Sequence, residues 1–186
     1  MERTGGFLRR SLRFTVCIAG AGWILAAGSF MLCAAAASKG SGESKSQVES
    51  ILTGKKTWKE WQTQTDWDSY SAETYRPSRD KLKKIGRLAQ ARKARFLVFA
   101  GSWCKDSEAH LPALMKVLNR AGISARDVEL YGVDGNLTEP SGTARLHGIV
   151  TVPTILILSG EDELGRVVER PSASWEEDIL EILSRK

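Results

Sequence analysis

Three residues in one short stretch have the types and spacing for sulfur chemistry. In Gly101-Ser102-Trp103-Cys104-Lys105-Asp106-Ser107, a thiol is followed three positions later by a hydroxyl, with an indole directly before it. The thiolate, not the thiol, is the nucleophile in disulfide exchange and the form that peroxide oxidises. An apolar run, Phe96 to Ala100, precedes the stretch, and a helix-forming run, Glu108 to Leu118, follows it. Cys104 is therefore expected where a strand gives way to a helix. The unpaired N–H groups and partial positive charge of a helix start favour the thiolate. Lys105 adds positive charge, and Asp106 opposes it. Ser107, one turn along, is expected to donate a hydrogen bond to the sulfur. Trp103 is expected to shield one side of it. The alternative reading of Cys104 is a small buried hydrophobe.

The chain has three cysteines, Cys17, Cys33 and Cys104, and the first two lie in a segment of different character. Arg3, Arg9, Arg10 and Arg13 form a basic start, and Phe14 to Ser38 carries no charge. The Ala34-Ala35-Ala36-Ala37 run offers A-x-A cleavage sites, as in a secretory signal. The uncharged run also suffices for a bilayer-spanning helix of ~20 residues. A cleaved signal peptide and a retained signal anchor over residues 1–37 are both open, with a lipid anchor on Cys33 and a twin-arginine signal as weaker options. Each places residues 38–186 outside the cytoplasm, in the periplasm or on the outer face of the inner membrane. Only Cys104 then remains in the exported part, and an unpaired thiol in an oxidising compartment is a candidate reactive group.

The whole chain carries 27 basic and 22 acidic residues, a formal charge of +5. Residues 1–37 hold four of the basic residues and one acid, which leaves 23 against 21. That balance gives no reason to invoke nucleic acid. Membrane contact is expected only through the N-terminal segment.

The elements that must position Cys104 follow from pattern. Residues 38–56 are rich in Ser, Gly and charge and read as a flexible linker. Thr57-Trp58-Lys59-Glu60 fits a capping box that opens a helix, and residues 57–79 read as an aromatic-rich helical extension. Trp58, Trp61, Trp67 and Tyr70 either dock this extension onto the core or form a ligand platform. Leu82, Ile85, Leu88 and Ala89 recur at helical spacing. Lys81, Lys83, Lys84, Arg87, Arg92, Lys93 and Arg95 surround that stripe, as the wet face of an amphipathic helix or as a surface for anionic lipid.

Strands are expected at 96–100, 128–133, 155–158 and 166–169, with "SGEDELG" (159–165) as turn material. Helices are expected at about 104–120 and 138–147. Ser174-Trp175-Glu176-Glu177 is a second capping box before a C-terminal helix. The order implies an α/β domain over 80–186, with a central mixed four-stranded sheet flanked by helices.

These features resemble the thioredoxin superfamily over roughly residues 80–184, and "WCKDS" resembles bacterial members with a C-x-D-S centre. Cys104 ends the "FLVFAGSW" strand, Pro112 falls eight residues later, and "GIVTVPT" (148–154) resembles the segment that carries the family's cis-proline. The resemblance implies a thioredoxin-like fold in which Pro153 is cis and packs beside Cys104, while the Val152 backbone pairs with an extended substrate. The chain departs from the family at three places. Ser107 replaces the resolving cysteine, Val98 stands where many members carry a buried acid, and "ERPSAS" lacks the usual glycine.

The expected function is monothiol exchange by Cys104, with Ser107, Trp103, Val152 and Pro153 forming the site. With no built-in cofactor, an external thiol such as glutathione would complete the cycle, and protein thiols or disulfides of the cell envelope would be the partners. Sulfenic acid formation or long-lived capture of clients would use the same thiol. The alternative class is a non-catalytic adaptor. His110, six residues along the expected helix, is poorly directed for reaching back to Cys104 as a metal ligand, and His147 reads as a packing residue.

Overall fold

The structure is a computed structural model that describes residues 51–185 apart from Asp66, Asp68 and Ser69, and omits the side chains of Tyr70 and Ser71. The targeting segment and most of the linker expected over residues 1–50 lie outside the described residues. In chain order the elements are β1 (Gly54–Lys56), α1 (Trp58–Thr65), α2 (Tyr70–Thr74), α3 (Arg79–Arg92), β2 (Ala94–Ala100), α4 (Lys105–Arg120), β3 (Val128–Gly132), α5 (Thr143–Leu146), β4 (Thr154–Ser159), β5 (Asp162–Val168) and α6 (Trp175–Ser184). A 3₁₀ turn at Ala125–Asp127 leads into β3.

The strands form one mixed sheet in the order β1-β3-β2-β4-β5. Among the described residues, the β2–β3 pair alone is parallel. The sheet has five strands where four were expected. The fifth, β1, comes from the end of the stretch read as linker and pairs antiparallel with β3, Lys55 opposite Tyr131. Its three residues, Gly-Lys-Lys, offer no apolar alternation, so a strand signal was absent.

β2 is central and buried on both faces, as its continuous apolar run requires. Phe96, Val98 and Ala100 join one core cluster with Ile85 of α3, Leu111, Leu114 and Val117 of α4, and Ile179 and Leu183 of α6. Leu97 and Phe99 point the other way, into a second cluster with Ala144 of α5, Ile149 and Val152. Cys104 packs against the second cluster.

Two expected elements moved. The 159–165 stretch is turn only at its start. Ser159 pairs with Asp162 across a two-residue loop in which Gly160 has φ +64°, and β5 begins at once. The helix expected at 138–147 is confined to Thr143–Leu146. Residues 134–142 are held instead by carboxylates. Asp134 Oδ1 accepts from the Asn136 and Thr138 N–H groups, and Glu139 accepts from the Ser141 and Ala144 N–H groups. Asx-type bonds of this kind compete with a helix for the same donors.

The first capping box forms in full. Glu60 N–H donates to Thr57 Oγ1 at 3.2 Å, and Glu60 Oε2 accepts from the Thr57 N–H at 2.7 Å. The second forms by half. Glu177 N–H donates to Ser174 Oγ at 3.2 Å, but the Glu177 carboxylate turns to Lys81 of α3. The aromatic residues at 58–67 dock the extension, with Trp61 wholly buried and edge-on to Trp67 at 5.4 Å. No helix among the described residues is long and apolar enough to cross a membrane.

Candidate functional site

The loop between β2 and α4 sets the thiol. β2 ends at Ala100, and Gly101 to Cys104 make a tight turn closed by a bond from the Cys104 N–H to the Gly101 carbonyl at 3.0 Å. Cys104 is the N-cap of α4, with extended backbone (φ −94°, ψ 120°), and its carbonyl accepts the Glu108 N–H at 3.0 Å. The expected strand-to-helix joint is therefore where the sequence puts it, one residue before the first helical position. Pro112 lies inside α4 and is buried.

The thiol is half-buried and free. Its S–H donates to the carbonyl of Val152 at 3.3 Å, across 48 residues of sequence. The Val152–Pro153 bond is cis. Cys104, Val152 and Pro153 are thus brought together. Among the described residues the Val152 N–H has no hydrogen-bond partner. Val152 itself is 4% exposed, while Val150, two residues earlier, is 82% exposed.

Trp103 sits beside the thiol in sequence and is 43% exposed. Its indole N–H donates to the Val133 carbonyl at 2.9 Å, at the end of β3. That bond fixes the ring over Gly101, where an added Cβ would meet indole atoms at 2.7 to 3.0 Å. Gly101 is therefore the residue that admits the indole. The sequence reading gave Gly101 no role, although a glycine two before an aromatic at a strand end is a usable sign of close approach.

Ser107 departs from expectation. It is wholly buried, and its Oγ accepts the Gly101 N–H at 3.2 Å. The sulfur's partner is the Val152 carbonyl rather than this hydroxyl. One helical turn from the N-cap, the side chain turns inward under the loop, because the buried Gly101 N–H at the end of β2 needs an acceptor. Ser107 is a support of the 101–104 loop.

Lys105 departs too. Its ammonium pairs with Glu108 at 2.9 Å, so the positive charge expected for the sulfur is shared with a carboxylate on the same turn. Asp106 and Glu108 both lie in the first turn of α4.

Ser102 is a further residue that sequence reading missed. Its Oγ accepts the Leu52 N–H at 3.0 Å, which ties the chain just before β1 to the thiol-bearing loop. The histidines occupy packing positions. His110 lies edge-on to Trp175 at 6.4 Å, and His147 tilts over Phe99 at 6.5 Å.

No protein-family model matches the chain, and no curated protein matches it. Two solved structures are similar to it. One is a protein of unknown function from Pseudomonas aeruginosa, 20% identical, with a TM-score of 0.36, over 62% of this chain and 89% of that one. The other is an HIV epitope-scaffold, also 20% identical at a TM-score of 0.36, over 62% of this chain and 90% of that one. At that TM-score neither likeness bears on fold or function. The site therefore rests on its own geometry: a half-buried thiol at a helix start, bonded to the carbonyl that precedes Pro153.

Proposed function

We propose that this chain is a thioredoxin-like protein, carried outside the cytoplasm by residues 1–37, that performs monothiol disulfide exchange with Cys104. The single observation that carries the reading is the 3.3 Å bond from Cys104 Sγ to the Val152 carbonyl, which joins the helix-start thiol to the Val152–Pro153 segment. Supporting it are the strand that ends at the thiol, Pro112 within α4, and the β4–β5 hairpin followed by α6.

In this scheme an extended client segment lies along Val152 and takes its unpaired N–H, while Trp103 covers the thiol's flank. Cys104 loses its proton to solvent and attacks one sulfur of the client disulfide. A Cys104–client disulfide forms as the other client sulfur leaves and takes up a proton. Ser107 holds no thiol, so an external one must finish. A glutathione thiolate attacks the client sulfur of the mixed disulfide, releasing Cys104 and leaving a client–glutathione disulfide. A second glutathione reduces that disulfide. For each client disulfide reduced, two glutathione molecules become one glutathione disulfide.

A second reading, a non-catalytic binding module, is favoured by one observation: Leu146 and Val150, in the stretch that leads to Val152, are 80% and 82% exposed. Insulin reduction in the presence of glutathione, wild type against Cys104→Ser, separates the two. The exchange reading expects the variant to fall to the rate of glutathione alone, and equal rates would leave the binding module. In the same assay Ser107→Cys supplies the missing second thiol, and its rate is expected to depend less steeply on glutathione concentration.

A further inference from the structure

Two cavities on the side of the domain away from Cys104 meet at a pair of shared residues. The first is an open groove of about 810 Å³ between the C-terminal half of α3 and the turn after α4. Lys83 and Arg87 of α3, Lys93 at its C-cap and Arg126 of the 3₁₀ turn line it, with Asp127 as its one acid. The second is a slot of about 480 Å³ under the extension. Trp58, Met115, Leu118, Val128 and Leu130 give it an apolar side, and Lys55, Lys56, Thr57, Glu60 and Asn119 line the rest. Ile123 and Arg126 line both cavities.

The charge in the groove is not already used. Of the other basic residues of the same helix, Lys81 meets Glu177 and Arg92 the Arg185 carbonyl, while Arg79 and Lys84 lie outside the groove. Lys83, Arg87 and Lys93 have no side-chain partner among the described residues, and Arg126 reaches only Asp127, at 3.8 Å. The C-termini of α3 and α4 both face the groove, and each contributes about half a negative charge. Four cations against one acid and two helix ends leave roughly two positive charges. A simple neutralisation of the helix ends therefore does not account for the cluster. The slot volume lies within the range of about 300–1,000 Å³ typical of small-molecule sites.

We infer that this face binds an anionic phospholipid, with its phosphate headgroup in the basic groove and an acyl chain in the slot, the two joined at Arg126 and Ile123. Free phosphate would use only the groove, and a neutral apolar molecule only the slot. An amphiphile with a negative head uses both, and that complementarity selects the occupant. The inference is independent of Cys104.

The test titrates the full chain with dihexanoyl-phosphatidylglycerol below its micelle concentration and reads the fluorescence of Trp58 as the difference from a Trp58→Phe protein. Saturable binding with a blue shift is expected, weakened at least tenfold in the Lys83→Glu/Arg87→Glu protein and in Arg126→Glu. Lys84→Glu, on the same helix but outside the groove, should stay within twofold of wild type. Dihexanoyl-phosphatidylcholine and glycerol 3-phosphate should each bind at least tenfold more weakly. The inference fails if binding is absent, or if the choline lipid or the chainless phosphate binds as tightly. It fails equally if Lys84→Glu matches the groove variants or if the groove variants bind like wild type.

Discussion

Ser107 Oγ and the Gly101 N–H face each other at 3.2 Å with no access to water, and that one bond holds the turn that carries Cys104. A buried donor left without a partner costs about 1–3 kcal/mol, more than the net worth of an ordinary hydrogen bond. Ser107→Ala removes the acceptor and leaves the Gly101 N–H stranded. The expected loss of stability is about 1–3 kcal/mol, read from urea unfolding at pH 7. A loss under about 0.5 kcal/mol, the size of a neutral surface change, would mean that Gly101 finds another acceptor. The position of the thiol was legible in the sequence, because an apolar run meeting a helical run fixes the joint. The role of Ser107 was not. Periodicity places it one turn from Cys104, but the inward turn of its side chain depends on a donor at Gly101 that only the folded loop creates.

At the scale of elements, Glu129 of β3 binds three strands through one carboxylate. Lys55 of β1 donates to it at 2.9 Å, Arg95 of β2 at 2.7 Å, and Tyr131 of β3 at 2.7 Å. Burial on its own would raise the Glu129 carboxyl above its ordinary 4.5, but the bonds from Tyr131, Lys55 and Arg95 outweigh it and bring the carboxyl down to about 2. A carboxylate whose folded value is depressed contributes stability above its unfolded value, and that contribution is lost as pH falls toward the folded one. The window is therefore pH 4.5 down to about 2. Lys55 and Arg95 are 61% and 47% exposed, so solvent screens their share. Glu129→Gln is expected to cost about 1–2 kcal/mol at neutral pH after that discount. Its stability should also fall less than the wild type's between pH 4.5 and 2, as followed by urea unfolding at a series of pH values. Parallel pH curves for the two proteins would show that the cluster does not stabilise the ionised form. This network also explains why β1 escaped the sequence. Its register is set by Lys55 meeting Glu129 and by Leu52, whose carbonyl stands 2.3 Å from where a Cβ on Gly132 would be. Neither contact leaves a periodic trace in three polar residues. β2, α3 and α6, whose burial follows their own repeats, left clear ones.

For the whole molecule, the extension expected over 57–79 packs into the same core as the domain expected over 80–186. Trp61 of α1 and Leu52 belong to the same core cluster as β2, α4 and α6. Tyr75, in the segment before α3, donates to Glu176 at 2.6 Å and accepts the Trp175 N–H at 3.0 Å, while Glu176 also accepts the Ser78 N–H at 3.1 Å. The described residues, from Ile51 to Arg185, lie in one compact unit. A fragment that begins at residue 80 loses β1, the whole of Trp61 and the Tyr75–Glu176 contacts together. Truncating one buried tryptophan costs about 3–5 kcal/mol, and an unpartnered buried carboxylate at Glu176 adds more. Total stabilities of about 5–15 kcal/mol leave little after such a loss. The fragment 46–186 is therefore expected to unfold in one cooperative transition, and the fragment 80–186 to lack one, in denaturant melts followed by circular dichroism. Limited proteolysis of the full chain gives the complementary reading, with protection expected from Leu52 through α1. A stable, cooperatively folding 80–186 fragment would return the extension to the status of an appendage. It would also sever the link from Leu52 through Ser102 to the loop that holds Cys104.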